Sequence, residues 1–149
     1  QTPSPDSSPL GKQYAAVTMF KKVSLATLGL AMQSYGEKLT DQQEVLSFVS
    51  DILMDTYASE SVVLRAQRAA ATTAATAKLH EDTASLFVND AANRVDVAAK
   101  AAVAAMTEGD TLRTHLAALR RLLKVPPVNT VALRRRLADA AVQQAGYTF

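Results

Sequence analysis

Apolar positions in this chain recur at three- and four-residue spacings over long stretches, and that period predicts helices. Tyr14, Val17, Phe20, Leu25, Leu28 and Met32 fall on one side of a helix expected from about Lys12 to Tyr35, with Gly36 as its stop. Thr40-Asp41-Gln42-Gln43 reads as a capping box that opens a second helix running to about Arg68. There Val45, Val49, Ile52, Thr56 and Val63 form one stripe, and Leu46, Leu53, Tyr57 and Leu64 form an adjoining one. So wide a stripe predicts burial against more than one neighbour. The run AAATTAATA at 69–77 has no charge, and its threonines lower helix propensity, so it reads as a frayed end and a loop.

A third helix is expected from about Lys78 to Met106, with Phe87, Ala91, Val95, Ala98, Ala102 and Ala105 on its inner face. Small side chains there let a neighbouring backbone come close. Asp110 is expected to cap a fourth helix, Thr111 to about Lys124, in which Leu112, Leu116, Leu119 and Leu123 repeat along one side. Val125-Pro126-Pro127 stops it. Asn129 caps a fifth helix, Thr130 to about Ala145, with Leu133, Leu137, Ala141 and Val142 inward and Gly146 as the stop. No stretch alternates apolar and polar residues as a strand would. Short connections between long helices predict an all-α fold, an antiparallel helical bundle of about five helices. Residues 1–11, rich in Pro and Ser, read as a linker, and 12–149 as the helical domain.

Composition adds exclusions. A chain of 149 residues is long enough to bury a core without metal or disulfide. There is no cysteine, so thiol catalysis and cysteine-ligated metals are excluded. That absence suits a reducing compartment, and the expected location is cytoplasmic. No apolar run approaches ~18 residues, so no membrane span is expected. The chain starts at Gln1 rather than Met, which is expected of a processed product or of a trimmed chain with sequence missing upstream.

The net charge of +2 is unevenly spread. Residues 1–110 hold 9 Lys/Arg against 13 Asp/Glu, and residues 111–149 hold 7 against 1. Arg120, Arg121, Lys124, Arg134, Arg135 and Arg136 lie on two consecutive helices and are the candidate partner or membrane surface. The acid they meet lies either within the fold or outside it. Nucleic acid is not the expected partner, since no aromatic side chains interleave with these charges and the total charge is small.

Catalytic constellations are missing from the pattern. His80 and His115 have no second His or Cys at metal-ligand spacing; His80 reads as exposed and His115 as a solvent or boundary residue. Asp51 and Asp55 stand four apart, but the Glu-x-x-His motifs of a di-metal bundle are absent, so they read as a solvated acidic face. Glu60, among Tyr57, Val63 and Leu64, is expected partly buried beside a base such as Arg94. Neither a phosphate-binding Gly-rich loop nor a nucleophile elbow occurs. No catalytic, cofactor-binding or metal-binding residue is assigned.

Three stretches carry a family resemblance: LTDQQEVLSFVSDILMDTYASESVVLR (39–65), FVNDAANRV (87–95) and EGDTLRTHLAALRRLLKVPPVNTVALRRRLAD (108–139). Together they resemble the C-terminal helical extension of bacterial long-chain acyl-CoA dehydrogenases, to which the very-long-chain enzymes carry a comparable domain. The resemblance runs from about Lys12 to Tyr147, and the Ala/Thr-rich stretch at 69–77 departs from it. It implies a parent flavoprotein of fatty acid β-oxidation whose FAD, acyl-CoA cleft and glutamate base lie in preceding domains, with no cofactor in this chain. It also implies packing on that catalytic body, a homodimer and peripheral contact with anionic membrane. The dimer is expected through the second and third helices, around Val49, Tyr57 and Ala91. The alternative is a free-standing helical adaptor that binds an acidic protein or lipid surface.

Overall fold

Five α-helices follow one another, with one short 3-10 helix after the first, and no strand occurs among the described residues. The structure is a computed structural model that describes residues 10–147 and 149. The helices are α1 (Gly11–Tyr35), α2 (Gln43–Thr72), α3 (Ala74–Met106), α4 (Gly109–Leu122) and α5 (Thr130–Gln144); the 3-10 helix spans Gly36–Asp41. α1 begins within the last two residues assigned to the linker, and the rest of that linker, residues 1–9, lies outside the described residues.

Side-chain pairs fix the directions of the helices. Lys21 Nζ lies 2.5 Å from Glu60 Oε1, Ser24 Oγ lies 3.0 Å from Thr56 Oγ1, and the Tyr14 hydroxyl donates to Gln67. Residue numbers therefore rise along α1 as they fall along α2, which is an antiparallel pair. Gln13 Nε2 donates to Ser85 Oγ at 2.6 Å, and the Tyr35 hydroxyl donates to the Ala105 carbonyl at 3.3 Å, so α1 and α3 run parallel. The three long helices form an up-down-up bundle. α4 lies across α3 and α1, and α5 lies antiparallel along α3.

The core sits where α1, α2 and α3 meet. Phe20, Val23, Ile52, Val63 and Val95 are fully enclosed there, each contributing about 1.5–3 kcal/mol on burial. Ala84, Ala91, Ala99 and Ala102 of α3 are buried with them, and their small side chains allow α3 to touch four other helices.

The buried stripe of α1 differs from the expected one. Val17 and Phe20 are buried as expected, but Leu25 is 71% and Met32 59% exposed. Ser24 and Thr27 are buried in their place. Their hydroxyls donate to the carbonyls of Phe20 and Val23 at 2.9 and 2.8 Å, so the helix itself satisfies them and they enter the core at little cost. On α2 only the first stripe is buried; Leu53, Tyr57 and Leu64 face outward. Val49 and Ala91 are core residues, so of the expected dimer contacts only Tyr57 lies on the surface. Ala105 and Ala141 are exposed, as is Val142 at 79%.

The loop expected at 69–77 is a single non-helical residue, Thr73. Its N–H still donates to the Ala69 carbonyl at 2.8 Å, and its carbonyl accepts from Ala77 at 3.1 Å, so alanine propensity outweighs the threonines. The capping box does not form either. Gln42 is the N-cap of α2 and makes no side-chain cap, while Gln43 Nε2 donates to the Thr40 carbonyl at 2.8 Å. Glu108, not Asp110, is the N-cap of α4; Asp110 lies in the first turn, 3.1 Å from Arg113. Asn129 does cap α5, its Oδ1 accepting from the Ala132 N–H at 3.0 Å. Gly36 ends α1 at φ +53°, where a side chain would be strained, whereas α5 ends on Ala145 at φ +51° instead of on Gly146.

By length and composition the segment Gly11–Asp41 is apolar enough to cross a membrane, a property that run-length counting missed. Its Val17, Phe20, Val23 and Thr27 side chains are part of the bundle core.

Candidate functional site

The six cations singled out in the sequence separate into two groups. Arg134 Nη2 lies 2.6 Å from Asp90 Oδ2, and Arg136 Nε donates to Asp82 Oδ2 at 2.8 Å. Both acids come from α3, so these two charges are answered within the fold. The Asp82 side chain is buried, with 4% of the residue exposed. The hydrogen bond from Arg136, with Lys78 alongside, holds its carboxyl below the ordinary carboxylate range against the opposing effect of burial. Arg120, Arg121, Lys124 and Arg135 remain exposed and form no ion pair among the described residues.

Arg121 and Lys124 come together with Lys12, which sequence reasoning did not single out, around a half-open pocket of about 290 Å³. The sequence builds this pocket at a junction. α4 ends at Leu122, and Val125 to Val128 then cross toward α3, where the Val128 N–H donates to Asn89 Oδ1 at 3.1 Å. The proline pair keeps this crossing non-helical. The start of α1 closes the other side, and the small Ala15 and Ala16 leave the space open. Met19, Val88, Leu122 and Val125 make the walls apolar. Gln13 and Ser85 give one polar spot, and Gln13 Oε1 is buried without a donor. No Asp or Glu lines this pocket. Nothing in the local sequence joins Lys12 to Arg121; only the parallel packing of α1 and α3 beneath α4 does so.

A second, more open groove of about 670 Å³ runs between α2 and α3, with Phe48, Met54 and Val97 along it. Arg94 grips Asp55 there through Nε at 3.0 Å and Nη2 at 2.6 Å, and its guanidinium lies 5.5 Å from the centre of the Phe87 ring. Asp55 is thus half-buried and paired, while Asp51 is exposed. Glu60, expected beside Arg94, pairs with Lys21 because α1, not α3, faces it. His115 is a boundary residue. His80, expected exposed, is half-buried against Phe149 with ring centres 4.8 Å apart. Burial, with Arg65 nearby, pushes its imidazole below the ordinary histidine pKa.

Neither cavity fits a flavin dinucleotide. The first, at about 290 Å³, lies at the lower edge of the ~300–1,000 Å³ typical of ligand pockets and is too small for a dinucleotide. The second is an open surface with Asp51 and Asp55 along it, and carboxylates repel a diphosphate.

Comparison with known proteins places the chain. The family model described as acyl-CoA dehydrogenase, C-terminal domain, matches residues 19–121. A probable acyl-CoA dehydrogenase of Bacillus subtilis (strain 168) is 38% identical over 148 residues, which is 97% of this chain and 24% of that protein. The crystal structure of an acyl-CoA dehydrogenase complexed with FAD, from Bacillus anthracis, is similar with a TM-score of 0.93 and 34% identity, over 99% of this chain and 26% of that one. This chain spans about a quarter of the length of either relative. With the family model covering the heart of the three-helix bundle, the chain belongs to the acyl-CoA dehydrogenase C-terminal domain family.

Proposed function

We propose that this chain is the non-catalytic C-terminal helical domain of an FAD-dependent acyl-CoA dehydrogenase of fatty acid β-oxidation, with long-chain acyl-CoA as the substrate class. The observation that carries the reading is the likeness over 99% of the chain to one quarter of an FAD-bound enzyme. Flavin and base then belong to the other three quarters, and this domain serves assembly. The outward apolar side chains of α1 and α2, Leu25, Met32, Leu53, Tyr57 and Leu64, offer a face on which the catalytic body or a second copy packs. Arg120, Arg121, Lys124 and Arg135 supply a peripheral contact with anionic membrane on the cytoplasmic side, at about 1 kcal/mol for each charge near the surface.

The test compares three proteins: the whole parent enzyme, the parent without the segment 12–149, and the 149-residue chain alone. The chain alone is expected to be colourless and inactive. The truncated parent is expected to hold flavin but to lose dimer mass in light scattering. The whole parent is expected to oxidise long-chain acyl-CoA faster than short-chain acyl-CoA. Stoichiometric flavin on the chain alone, or a truncated parent that stays fully dimeric, overturns the reading.

A further inference from the structure

Three cations from two segments, Lys12 at the start of α1 and Arg121 and Lys124 at and just after the end of α4, line one apolar pocket that no Asp or Glu lines among the described residues. We propose that this pocket binds a small amphiphilic anion, a short apolar chain carrying a carboxylate or phosphate head.

The walls argue for the tail. Met19, Val88, Leu122 and Val125 wall a space of about 290 Å³, whose polar lining away from the cations is confined to Gln13, Ser85 and Asn89. Filling such a space with hydrocarbon removes the walls from solvent. The volume admits a short chain and is too small for a dinucleotide.

The rim argues for the head. Lys12, Arg121 and Lys124 all line the pocket, and none pairs with an acid among the described residues. Arg113, Arg134 and Arg136 of the two final helices each have a carboxylate partner, and Arg120 and Arg135 have none among the described residues but stand outside the pocket. Like charges gathered at one opening repel, and an anion seated there relieves that repulsion. A guanidinium presents paired donors matched to carboxylate or phosphate, and the two ammonium groups add point charges. Inorganic phosphate alone leaves the apolar walls unfilled, and a neutral alkyl chain leaves the cations unanswered, so both parts of the ligand are required.

The test uses the 149-residue chain with octanoate and octyl phosphate below their micelle-forming concentrations, and octanol and inorganic phosphate as controls. The methyl resonances of Ala15, Met19 and Val88 report occupancy. Saturable binding of at least one anion is expected, about tenfold tighter than octanol. The tighter of the two anions names the head group. The variant Lys12→Gln/Arg121→Gln/Lys124→Gln is expected to bring anion binding down to the octanol level. Because exposed unpaired charges add little stability, the triple variant should keep its helical circular dichroism; the single change Arg121→Gln, with a partial loss, serves if it does not. Ala15→Phe, at an exposed lining position, is expected to block the tail. No binding by either anion, equal binding of octanol, or full binding by the charge variants overturns the proposal.

Discussion

Arg136 donates from Nε to Asp82 at 2.8 Å, and of the two side chains only the carboxylate is buried. Lys78 Nζ reaches the same carboxylate at 3.4 Å from one turn before it. α5 is thus tied to α3 through a buried acid that two bases share. Replacing Asp82 with Asn removes a charged acceptor from both bases and is expected to cost about 2 kcal/mol at neutral pH, read from chemical denaturation.

The same pair sets an acid dependence. Asp82 has a folded pKa below its unfolded value, so its contribution is complete above the unfolded value of ~3.9 and is lost as pH falls through the lower folded pKa. Stability of the wild-type chain should therefore fall below about pH 4 more steeply than that of Asp82→Asn. Parallel curves for the two proteins over that range would show that Asp82 is not charged and paired in the folded state.

His80 gives a second titration with the same sign. Its folded pKa is lowered, first by burial and then by Arg65, so the neutral ring is the folded form. Stability from this group is complete above the unfolded pKa of ~6.5 and declines as pH falls through the folded pKa. Proton resonance titration of the ring is expected to give a midpoint below that of a free histidine. Arg65→Gln should raise the midpoint without bringing it to the free value, because burial remains. A wild-type midpoint at or above the free value contradicts the packing of His80 against Phe149.

The helices, their order and the family were legible in the sequence because each rests on local pattern. Asn129 was readable as a cap since its acceptor reaches only three residues, to Ala132. What sequence could not supply were choices made by distant parts of the chain. Leu25 and Met32 outrank Ser24 and Thr27 on any hydrophobic scale, yet the hydroxyls are satisfied within their own helix and leave the larger side chains to the surface. The basic helices looked unanswered because Asp90 and Asp82 lie 44 and 54 residues before their partners. Likewise Lys12 is joined to Arg121 and Lys124 by topology alone.

α3 offers a direct check of which alanines are enclosed. Ala91 has no exposed surface, and a leucine there would have to displace neighbours across a packed helix interface. Ala91→Leu is expected to destabilise by about 1–3 kcal/mol. Ala105, on the face first expected to be buried, is exposed, and Ala105→Leu should change stability by less than about 0.5 kcal/mol. Phe20→Ala, which empties the centre of the core, is expected to cost about 3–5 kcal/mol. Equal effects at Ala91 and Ala105 would mean that α3 is rotated from the orientation described.

Leu25 and Tyr57 each follow directly on a residue of the Ser24–Thr56 contact. One residue turns a helical side chain by about 100°, and on antiparallel right-handed helices that turn carries both side chains to the same side of the pair. The result is one apolar face spanning α1 and α2, with Leu25 71% and Tyr57 75% exposed. Its cost in water is relieved when a second apolar surface covers it, so the isolated chain is expected to self-associate through this face. The variant Leu25→Ser/Tyr57→Ser removes no buried contact and should shift stability by no more than about 0.5 kcal/mol per site. Light scattering over a range of concentrations separates the outcomes. Wild-type chain should gain mass by ~0.1 mM, well above the ~1 μM dissociation constant of a modest interface, and the variant should remain monomeric. A wild-type chain that stays monomeric at that concentration rejects self-pairing and leaves the face to the catalytic body, while a variant that associates as strongly as wild type locates the contact elsewhere on the bundle.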